Sequence, residues 1–329
     1  MIISQTPLRI SFLGGGTDYP LYFHSHGGQT LGTSINKYNI ITVSRLTQFV
    51  DYRIRIHYSQ VESVKHIDEI DHPSARECLR FLGLKEGIEV HYLSDLPART
   101  GLGSSSAATV GLLTALHAFK GEKASKEQVA KEAVYVEQEL IKERVGCQDQ
   151  YTCAIGGFLH LEFQQNQQVR IEPLKINRRR IDELQSHLVL LYTGMQREAH
   201  KILDEQIERT RSGANEEGLA QLKGLVKRGI EVLIKKSSLL EFGELLHQAW
   251  MIKRQLSSKI STSFIDDAYE RARQAGAIGG KILGAGGGGF LLLFAQPKNH
   301  QRVLSAVPDL YKADFSFEHS GTEVIFHKK

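Results

Sequence analysis

The pattern of apolar positions in the first half of the chain predicts several strands with helices between them. Apolar and polar residues alternate from 8 to 13, which places Leu8, Ile10 and Phe12 on one face of a strand. Content of β-branched and aromatic residues predicts further strands at 35–45, 51–58, 88–93 and 158–163. Helical spacing predicts helices at 74–81 and 107–119. Because strands and helices do not alternate regularly, an α+β domain is favoured over a doubly wound parallel sheet.

The second half is predicted to be mostly helical. Apolar residues recur at helical spacing in 197–210, 216–236, 239–255 and 263–274. Strands are predicted at 188–192, 281–283, 290–295 and 322–327, so that helices would cover one side of a small antiparallel sheet. The polar stretch 164–180 between the halves is the predicted junction of two domains, 1–175 and 176–329.

Composition limits the classes of function. The 329 residues carry a formal net charge of only +4, and no basic tract is long enough to indicate binding of nucleic acid. The longest apolar run, 290–295, is too short to cross a bilayer, and the opening residues lack a secretory pattern. Three scattered cysteines indicate a reducing compartment. We therefore expect a cytoplasmic protein that binds neither nucleic acid nor membrane.

One glycine- and serine-rich segment is a candidate phosphate site. It carries Gly101 and Gly103, then Ser104, Ser105 and Ser106, and an apolar helix is predicted to follow. The first turn of a helix offers unpaired N–H groups and the positive end of the helix dipole to an anion. No lysine follows Gly103, so the segment is not a Walker A loop. The alternative is an ordinary cluster of serines that caps the helix.

Two further segments place charge beside glycine. Arg9 lies on the first predicted strand, and three glycines with Asp18 at their end follow it. Such glycines permit unusual dihedral angles or close approach to a ligand. Taken alone, an exposed strand cation and a turn carboxylate are the simpler interpretations of Arg9 and Asp18.

Two acidic residues, Glu137 and Asp149, lie at positions that make them candidates for a binding or catalytic site. Glu137 falls within the apolar stripe of a predicted helix that opens at Ser125, and a carboxylate on a buried face needs a partner. The spacing favours a metal ligand and a salt bridge to an arginine equally. Asp149 falls in a short element between glycine breaks, where catalytic residues are often found.

A late glycine string, 284–289, matches the dinucleotide-binding pattern Gly-x-Gly-x-x-Gly. That pattern requires a helix after the glycines, whereas 290–294 predicts a strand. A tight strand-loop-strand turn is therefore favoured, and a nicotinamide-dependent dehydrogenase becomes a weak rival interpretation.

Three segments, in chain order, carry a resemblance: PLRISFLGGGTDY, PARTGLGSSSAA and GKILGAGGGGFLLL. Together they resemble the three motifs of the GHMP small-molecule kinases, and the resemblance spans nearly the whole chain. It implies an N-terminal domain similar to domain 2 of ribosomal protein S5 and a ferredoxin-like C-terminal domain, with the active site between them. The arginine at position 9, the glycine triplet with Thr-Asp and the segment GCQDQY are most similar to heptose 7-phosphate kinases and bacterial fucokinase domains.

The resemblance also implies roles for residues. Asp149 matches the proposed general base, and Arg9 the cation near the transferred phosphoryl group. Ser105 and Glu137 match the ligands of Mg²⁺, although the third serine leaves the choice between Ser105 and Ser106 open. The ATP phosphates would be held by Gly101, Leu102, Gly103, Ser104, Ser105 and Ser106. The sugar would be contacted by Gly15, Gly16, Thr17, Asp18, Gly287 and Gly288.

The implied function is an ATP-dependent sugar kinase acting on an anomeric hydroxyl, with D-glycero-D-manno-heptose 7-phosphate as the expected substrate in nucleotide-sugar synthesis. A free sugar such as fucose or galactose is the alternative, and a non-catalytic sugar or nucleotide sensor is another. A distal phosphate would need a cation, for which the candidates are Lys37, Arg99, Arg144 and Arg197. The state of assembly is left open, with a homodimer as one option.

Overall fold

The computed structural model describes residues 1–195, 199–235 and 237–328, and only the backbone of 199–201. In chain order, the described strands are β1 (Ile2–Leu13), β2 (Gly28–Arg45), β3 (Ile54–His57), β4 (Val61–Val64), β5 (Ile88–Ser94), β6 (Phe158–Phe163), β7 (Val169–Pro173), β8 (Leu188–Tyr192), β9 (Ala277–Ile282), β10 (Phe290–Ala295), β11 (Tyr311–Ala313), β12 (Phe317–Glu318) and β13 (Glu323–His327). The strands form two sheets, and the larger one is built around β1 and β2.

The described α-helices are α1 (Pro20–His26), α2 (Pro73–Phe81), α3 (Ser104–Lys120), α4 (Lys126–Tyr135), α5 (Gln148–Ile155), α6 (Arg178–His187), α7 (Ala199–Arg211), α8 (Glu216–Ile234), α9 (Leu240–Lys253), α10 (Ser263–Gln274) and α11 (His300–Ala306). A π-helical turn, Val136–Leu140, continues α4. Ser125 caps α4 by accepting a hydrogen bond from the Gln128 backbone, as its capping-box sequence predicts. No helix in the described part of the chain is both long and apolar enough to cross a membrane.

The larger sheet has the strand order β13-β1-β2-β5-β3-β4, and β6, β7 and β12 extend it alongside β2. The long strand β2 makes this branching possible, because it pairs with β1 along its length and with β6, β12 and β5 on its other edge. The pair β3–β5 is parallel. Leu8, Ile10 and Phe12 are fully buried, and this confirms the predicted first strand and its apolar face.

The smaller sheet has the order β11-β8-β10-β9. Counted within this half of the described chain, the order is fourth, first, third, second, with antiparallel neighbours, which is the ferredoxin-like arrangement that the resemblance implied. Helices α7 to α10 connect β8 to β9. Phe12 of β1 packs edge-on against Phe242 of α9, so the cores of the two sheets touch.

One feature of the second half differs from the sequence prediction. The strand expected at 322–327 is present as β13, but it pairs with β1 of the larger sheet, and β12 pairs with β2. The chain therefore returns to its first sheet after completing the second. The helix predicted at 197–210 is described from Ala199, and the first two residues of that prediction lie outside the described residues. The division at residue 175 stays a prediction.

Candidate active site

A cavity of about 680 Å³ lies where the three glycine-rich segments meet. Arg9 and Asp18 line it from the first segment, Gly101 and Ser105 from the second, and Gly284 from the third. Backbone contact brings the second and third segments together, since a Cβ added at Gly101 would lie 2.4 Å from the carbonyl oxygen of Leu283. Only glycine permits this approach.

Arg9 and Asp149 form a two-pronged ion pair in this cavity. Nε of Arg9 donates to Oδ1 of Asp149 at 2.7 Å, and Nη2 donates to Oδ2 at 2.6 Å. Nη1 of Arg9 donates to the carbonyl of Gly101, so the same guanidinium anchors the second glycine segment. Arg9 is 4% exposed, and this contradicts the interpretation of it as an exposed strand cation. Asp149 lies in the first turn of α5 and keeps about a quarter of its side chain exposed.

Asp18 is a buried acceptor at the edge of the cavity. Its Oδ1 accepts from the backbone N–H of Gly16 at 2.9 Å, and its Oδ2 accepts from the side chain of Gln148 at 3.1 Å. Burial, followed by the nearby Asp149 carboxylate, raises the pKa of Asp18. Gly146 passes so close that an added Cβ would lie 1.9 Å from Oδ2 of Asp18. Asp18 is therefore held between its own glycine turn and the segment 146–148, and it is no simple turn residue.

The second segment presents a bare helix N-terminus to the cavity. The residue before α3 is Gly103 in the left-handed conformation, and no side chain caps the first turn. The interpretation of the serines as an N-cap cluster is therefore wrong. Ser105 is exposed and lines the cavity, whereas the Ser106 hydroxyl turns inward to donate to Glu137. The open N–H groups and the hydroxyl of Ser105 suit an anion.

Glu137 is buried beside this helix. Its Oε2 accepts from Ser106 Oγ at 2.9 Å and from Gln150 Nε2 at 2.5 Å. No ion pair to Glu137 occurs within residues 1–195, 199–235 and 237–328, so the arginine salt bridge is not formed there. Oε1 is buried without a hydrogen-bond partner in the same described part of the chain. Burial raises the pKa of Glu137 to about 7.

This donor set suits a hard divalent cation. The unpartnered oxygen of Glu137 is the kind of ligand that Mg²⁺ prefers, and serine hydroxyls lie next to it. A cation there would remove the cost of burying the carboxylate alone. Of the two serines, Ser106 contacts Glu137 and Ser105 faces the cavity, so the choice between them stays open.

Two of the predicted ligand contacts, Thr17 and Leu102, are buried side chains. Thr17 is fully buried and its hydroxyl donates to the carbonyls of Gly14 and Gln29, because it closes the loop rather than facing the cavity. Leu102 is fully buried in the core. In the third segment, Gly284 and Ala285 line the cavity, as Gly15 and Gly16 do in the first.

Gly287 and Gly288 are not among the described residues that line this cavity, and their contact with a sugar stays a prediction. The N–H of Gly287 donates to the carbonyl of Ile260, and a Cβ at Gly288 would press on the carbonyl of Met195. The glycine string turns directly from β9 into β10, so the strand predicted after it is confirmed and the dinucleotide-binding pattern is excluded.

Two buried lysines of the second half line the cavity, and the sequence analysis missed both. Nζ of Lys253 donates to the carbonyls of Ile282 and Gly284, and Nζ of Lys281 donates to the carbonyl of Phe12. Burial, followed by the charge of Arg9, lowers the pKa of Lys253 to about 7. Burial, followed by Lys253, lowers that of Lys281 well below its usual range. The lysines tie the third glycine segment to both halves of the molecule.

The other end of the cavity is aromatic. His72 stacks on Tyr92 with ring centroids 4.9 Å apart, and Tyr58 packs edge-on against the same imidazole. The hydroxyl of Tyr92 is buried and lacks a hydrogen-bond partner among the described residues. Flat rings with a spare polar atom suit a planar heterocycle.

Of the four cations considered for a distal phosphate, Arg99 lines the cavity. Lys37 does not line the described cavity, and Arg144 is bound to Asp204 at 2.8 Å with most of its side chain exposed. Arg197 lies outside the described residues.

Comparison with known proteins gives consistent matches. The family of the GHMP kinases N-terminal domain matches residues 72–157, and that of the GHMP kinases C-terminal domain matches residues 230–313. The chain is 30% identical to a D-glycero-alpha-D-manno-heptose 7-phosphate kinase from Campylobacter jejuni, covering 98% of each chain. It is 26% identical to the bifunctional fucokinase/GDP-fucose pyrophosphorylase of Arabidopsis thaliana, over 91% of this chain and 30% of that protein.

A solved structure is similar to this chain over its whole length. A D-glycero-D-manno-heptose 1-phosphate kinase from Bacteroides thetaiotaomicron superposes with a TM-score of 0.81 at 25% identity, over the full length of both chains. The two matched domains, the full-length similarity and the three converging glycine segments lead to one conclusion: this chain belongs to the GHMP kinase family.

Proposed function

We propose that this sugar kinase transfers the γ-phosphoryl group of ATP to the anomeric hydroxyl of a heptose that already carries a distal phosphate, as a step toward nucleotide sugars. The observation that carries the proposal is the part-buried Arg9–Asp149 pair, because it lies in one cavity with the glycine- and serine-rich segment 101–106 and with Asp18. Phosphoryl transfer needs positioning and neutralisation of charge more than covalent help, and this arrangement supplies both.

The nucleotide fits the end of the cavity formed by α3 and the aromatic residues. Its phosphates lie on the N-terminus of α3 and the glycine loop before it, where the backbone N–H groups are open. The rings of Tyr58, His72 and Tyr92 accept the base. Glu137 with Ser105 or Ser106 would hold Mg²⁺, which neutralises charge on the ATP phosphates.

The sugar fits the end formed by Asp18, Gly15 and Gly16. Asp18 accepts hydrogen bonds from sugar hydroxyls, and Asp149 takes the proton of the attacking hydroxyl or orients it. The hydroxyl oxygen forms a bond to the γ-phosphorus while the bond to the bridging oxygen breaks, and ADP leaves with that electron pair. The proton passes to Asp149, and Arg9 balances the charge that spreads over the transferring group.

The choice of a heptose phosphate rests on the relatives and on one side chain. The names of one relative by sequence and of one similar solved structure refer to D-glycero-D-manno-heptose phosphates. Arg99 lines the cavity and is the candidate cation for a distal phosphate. A free sugar is the second candidate, supported by the similarity to a fucokinase. Cytoplasmic location and a homodimer stay predictions.

The deciding experiment measures ADP release with ATP and Mg²⁺ across a panel of heptose 7-phosphate, the unphosphorylated heptose, fucose and galactose. The wild type and Asp149→Asn are compared side by side. Turnover of the heptose 7-phosphate that the substitution abolishes supports the proposal. Turnover of a free sugar alone retains the kinase and refutes the distal phosphate. ATP binding without any turnover favours the sensor.

A further inference from the structure

A second cluster of metal-binding side chains lies on the larger sheet, outside the cavity. His57 of β3 and His91 of β5 are direct partners in the parallel pairing of these strands. Glu89 precedes His91 by two residues and therefore shares its face of the sheet. All three side chains are partly exposed to solvent, while their neighbours Ile56 and Val90 point into the core.

The three side chains bring one ligand atom each close together. Oε1 of Glu89 lies 3.0 Å from Nε2 of His57 and 3.3 Å from Nε2 of His91. One ligand atom from each residue falls within 4.8 Å of the other two. Zn²⁺ with bonds of about 2.0–2.1 Å in tetrahedral geometry requires its ligand atoms to lie roughly 3.3 Å apart. The observed separations around Glu89 are close to that value.

The two imidazole rings stack face to face, so at least one ring must rotate about its side-chain torsions before both nitrogens can bind one ion. The ring centroids lie 4.0 Å apart and the ring planes differ by 9°. The strands below them are tied by the β3–β5 ladder, so little backbone freedom would be lost on binding. Binding of an ion would therefore require rotation of side chains but no change in the backbone of β3 or β5.

We propose that His57, Glu89 and His91 form a binding site for a divalent ion of the zinc class, with water completing the coordination. Two imidazoles and one carboxylate suit Zn²⁺ rather than Mg²⁺, which prefers oxygen ligands. Arg55 is the one competitor described on this face, with Nη1 at 3.9 Å from Glu89. That contact is long and part-exposed, so a divalent ion can displace it.

The site would communicate with the cavity through the same two strands. Tyr58 directly follows His57 in the chain, and Tyr92 directly follows His91, and both tyrosines line the aromatic end of the cavity. An ion on the opposite face would fasten β3 to β5 and thereby fix the separation of these rings.

Titration of the full-length protein with Zn²⁺ in the absence of nucleotide tests the proposal, with isothermal calorimetry for stoichiometry and Co²⁺ absorption for geometry. We expect one site per chain with a tetrahedral Co²⁺ spectrum, and a rise in Tm at about a hundredfold excess over Kd. The double variant His57→Gln/His91→Gln should lose both signals, whereas His327→Gln, an exposed strand histidine elsewhere, should keep them.

Two further variants separate a built site from adventitious binding. Glu89→Gln should weaken binding at least about tenfold, because a charged ligand is lost. Arg55→Gln should tighten it, because the competing cation is gone, and adventitious binding elsewhere would not respond. Absence of Zn²⁺ binding by the folded wild type, or binding that survives the double histidine substitution, refutes the site. Circular dichroism and turnover with Mg²⁺ and ATP confirm that each variant is folded.

Discussion

Arg9 binds both carboxylate oxygens of Asp149 while its third nitrogen binds the carbonyl of Gly101. The cation and the acid of the proposed reaction are thus a single hydrogen-bonded unit, attached to the loop that is proposed to bind the ATP phosphates. A unit of this kind is sensitive to the loss of either member, because the partner is left misplaced or without its counter-charge.

The first prediction concerns this unit. Asp149→Asn should lower kcat roughly a hundredfold or more if the carboxylate serves as the base. Arg9→Met should be similarly damaging, and the double variant little worse than either single one, because residues acting as a unit are not additive. Steady-state kinetics of the four proteins measures this, with ATP affinity as the control. Multiplicative losses would contradict the coupling.

The second prediction uses the close approach of Gly146 to Asp18. In Gly146→Ala the new Cβ would lie 1.9 Å from Oδ2 of Asp18, so the carboxylate must move and its bond to Gln148 is lost. The sugar KM should rise at least about tenfold, since a hydrogen bond to a charged group contributes about 1.5–3 kcal/mol. The affinity for ATP should not change.

Gly224→Ala provides the matched control. Gly224 lies inside α8 with no heavy atom within 4 Å of an added Cβ. This substitution should leave the sugar KM unchanged and stabilise the helix by up to about 1 kcal/mol. Equal effects of the two substitutions on KM would show that Asp18 has no special role in binding the sugar.

The third prediction concerns Glu137 and pH. Burial raises its pKa to about 7, whereas a glutamate in the unfolded chain titrates near 4.3. Between these values the folded protein binds more protons than the unfolded chain. Its free energy of unfolding therefore falls as the pH rises from about 4.5 to 7. In Glu137→Gln this fall should be absent, because Ser106 and Gln150 can still donate to the amide oxygen.

Urea unfolding of the metal-free proteins between pH 4.5 and 8 measures the effect. The variant should be the more stable protein above pH 7, and Mg²⁺ with ATP should stabilise the wild type alone, because it favours the ionised carboxylate. Parallel pH profiles of the two proteins would disprove the role of Glu137.

The fourth prediction concerns Lys253. Its pKa of about 7 means that the ammonium loses its proton as the pH rises through 7, so kcat/KM should fall there if the charge aids transfer. In Lys253→Met, kcat/KM should no longer fall as the pH rises through 7. Its value should be about ten- to a hundredfold lower than that of the wild type below pH 7, the range expected for a lost charged hydrogen bond. Lys227→Met, at an exposed position of α8, should leave the profile unchanged.

Stability provides an independent readout for Lys253. Unfolded lysine keeps its proton to about pH 10.4, so between pH 7 and 10 the unfolded chain binds more protons than the folded one. The free energy of unfolding of the wild type should therefore rise over this range relative to Lys253→Met. An unchanged pH dependence would mean that the ammonium is not held in the low-dielectric site.

Local sequence patterns predicted the buried faces around the site, but they did not predict the long-range strand pairing that completes the fold. Alternation along β1 and the helical spacing around Glu137 both indicated buried faces, and the structure confirms both. The same spacing marks Lys253, which follows Leu246 and Trp250 on the buried face of α9. A lysine on an apolar face is easily dismissed, because its long stem usually carries the charge to solvent.

Two features that the sequence does not reveal depend on long-range contacts. The pattern at 322–327 predicts a strand, but pairing with β1 depends on contacts far apart in the sequence. Likewise, a run of glycines carries no side-chain signal, so the sequence alone cannot distinguish Gly284, which lines the cavity, from Gly288, which packs on Met195.

The pairing of β13 with β1 has a consequence for how the protein folds during its synthesis on the ribosome. The Met1 amino group donates to the carbonyl of Lys328, and Ile2 pairs with His327. Strand β1, which carries Arg9, therefore cannot pair with β13 until residues near 327 have left the ribosome. The first sheet is left with an open edge throughout synthesis of the second. Nascent chains that end before β13 would therefore expose that edge to one another.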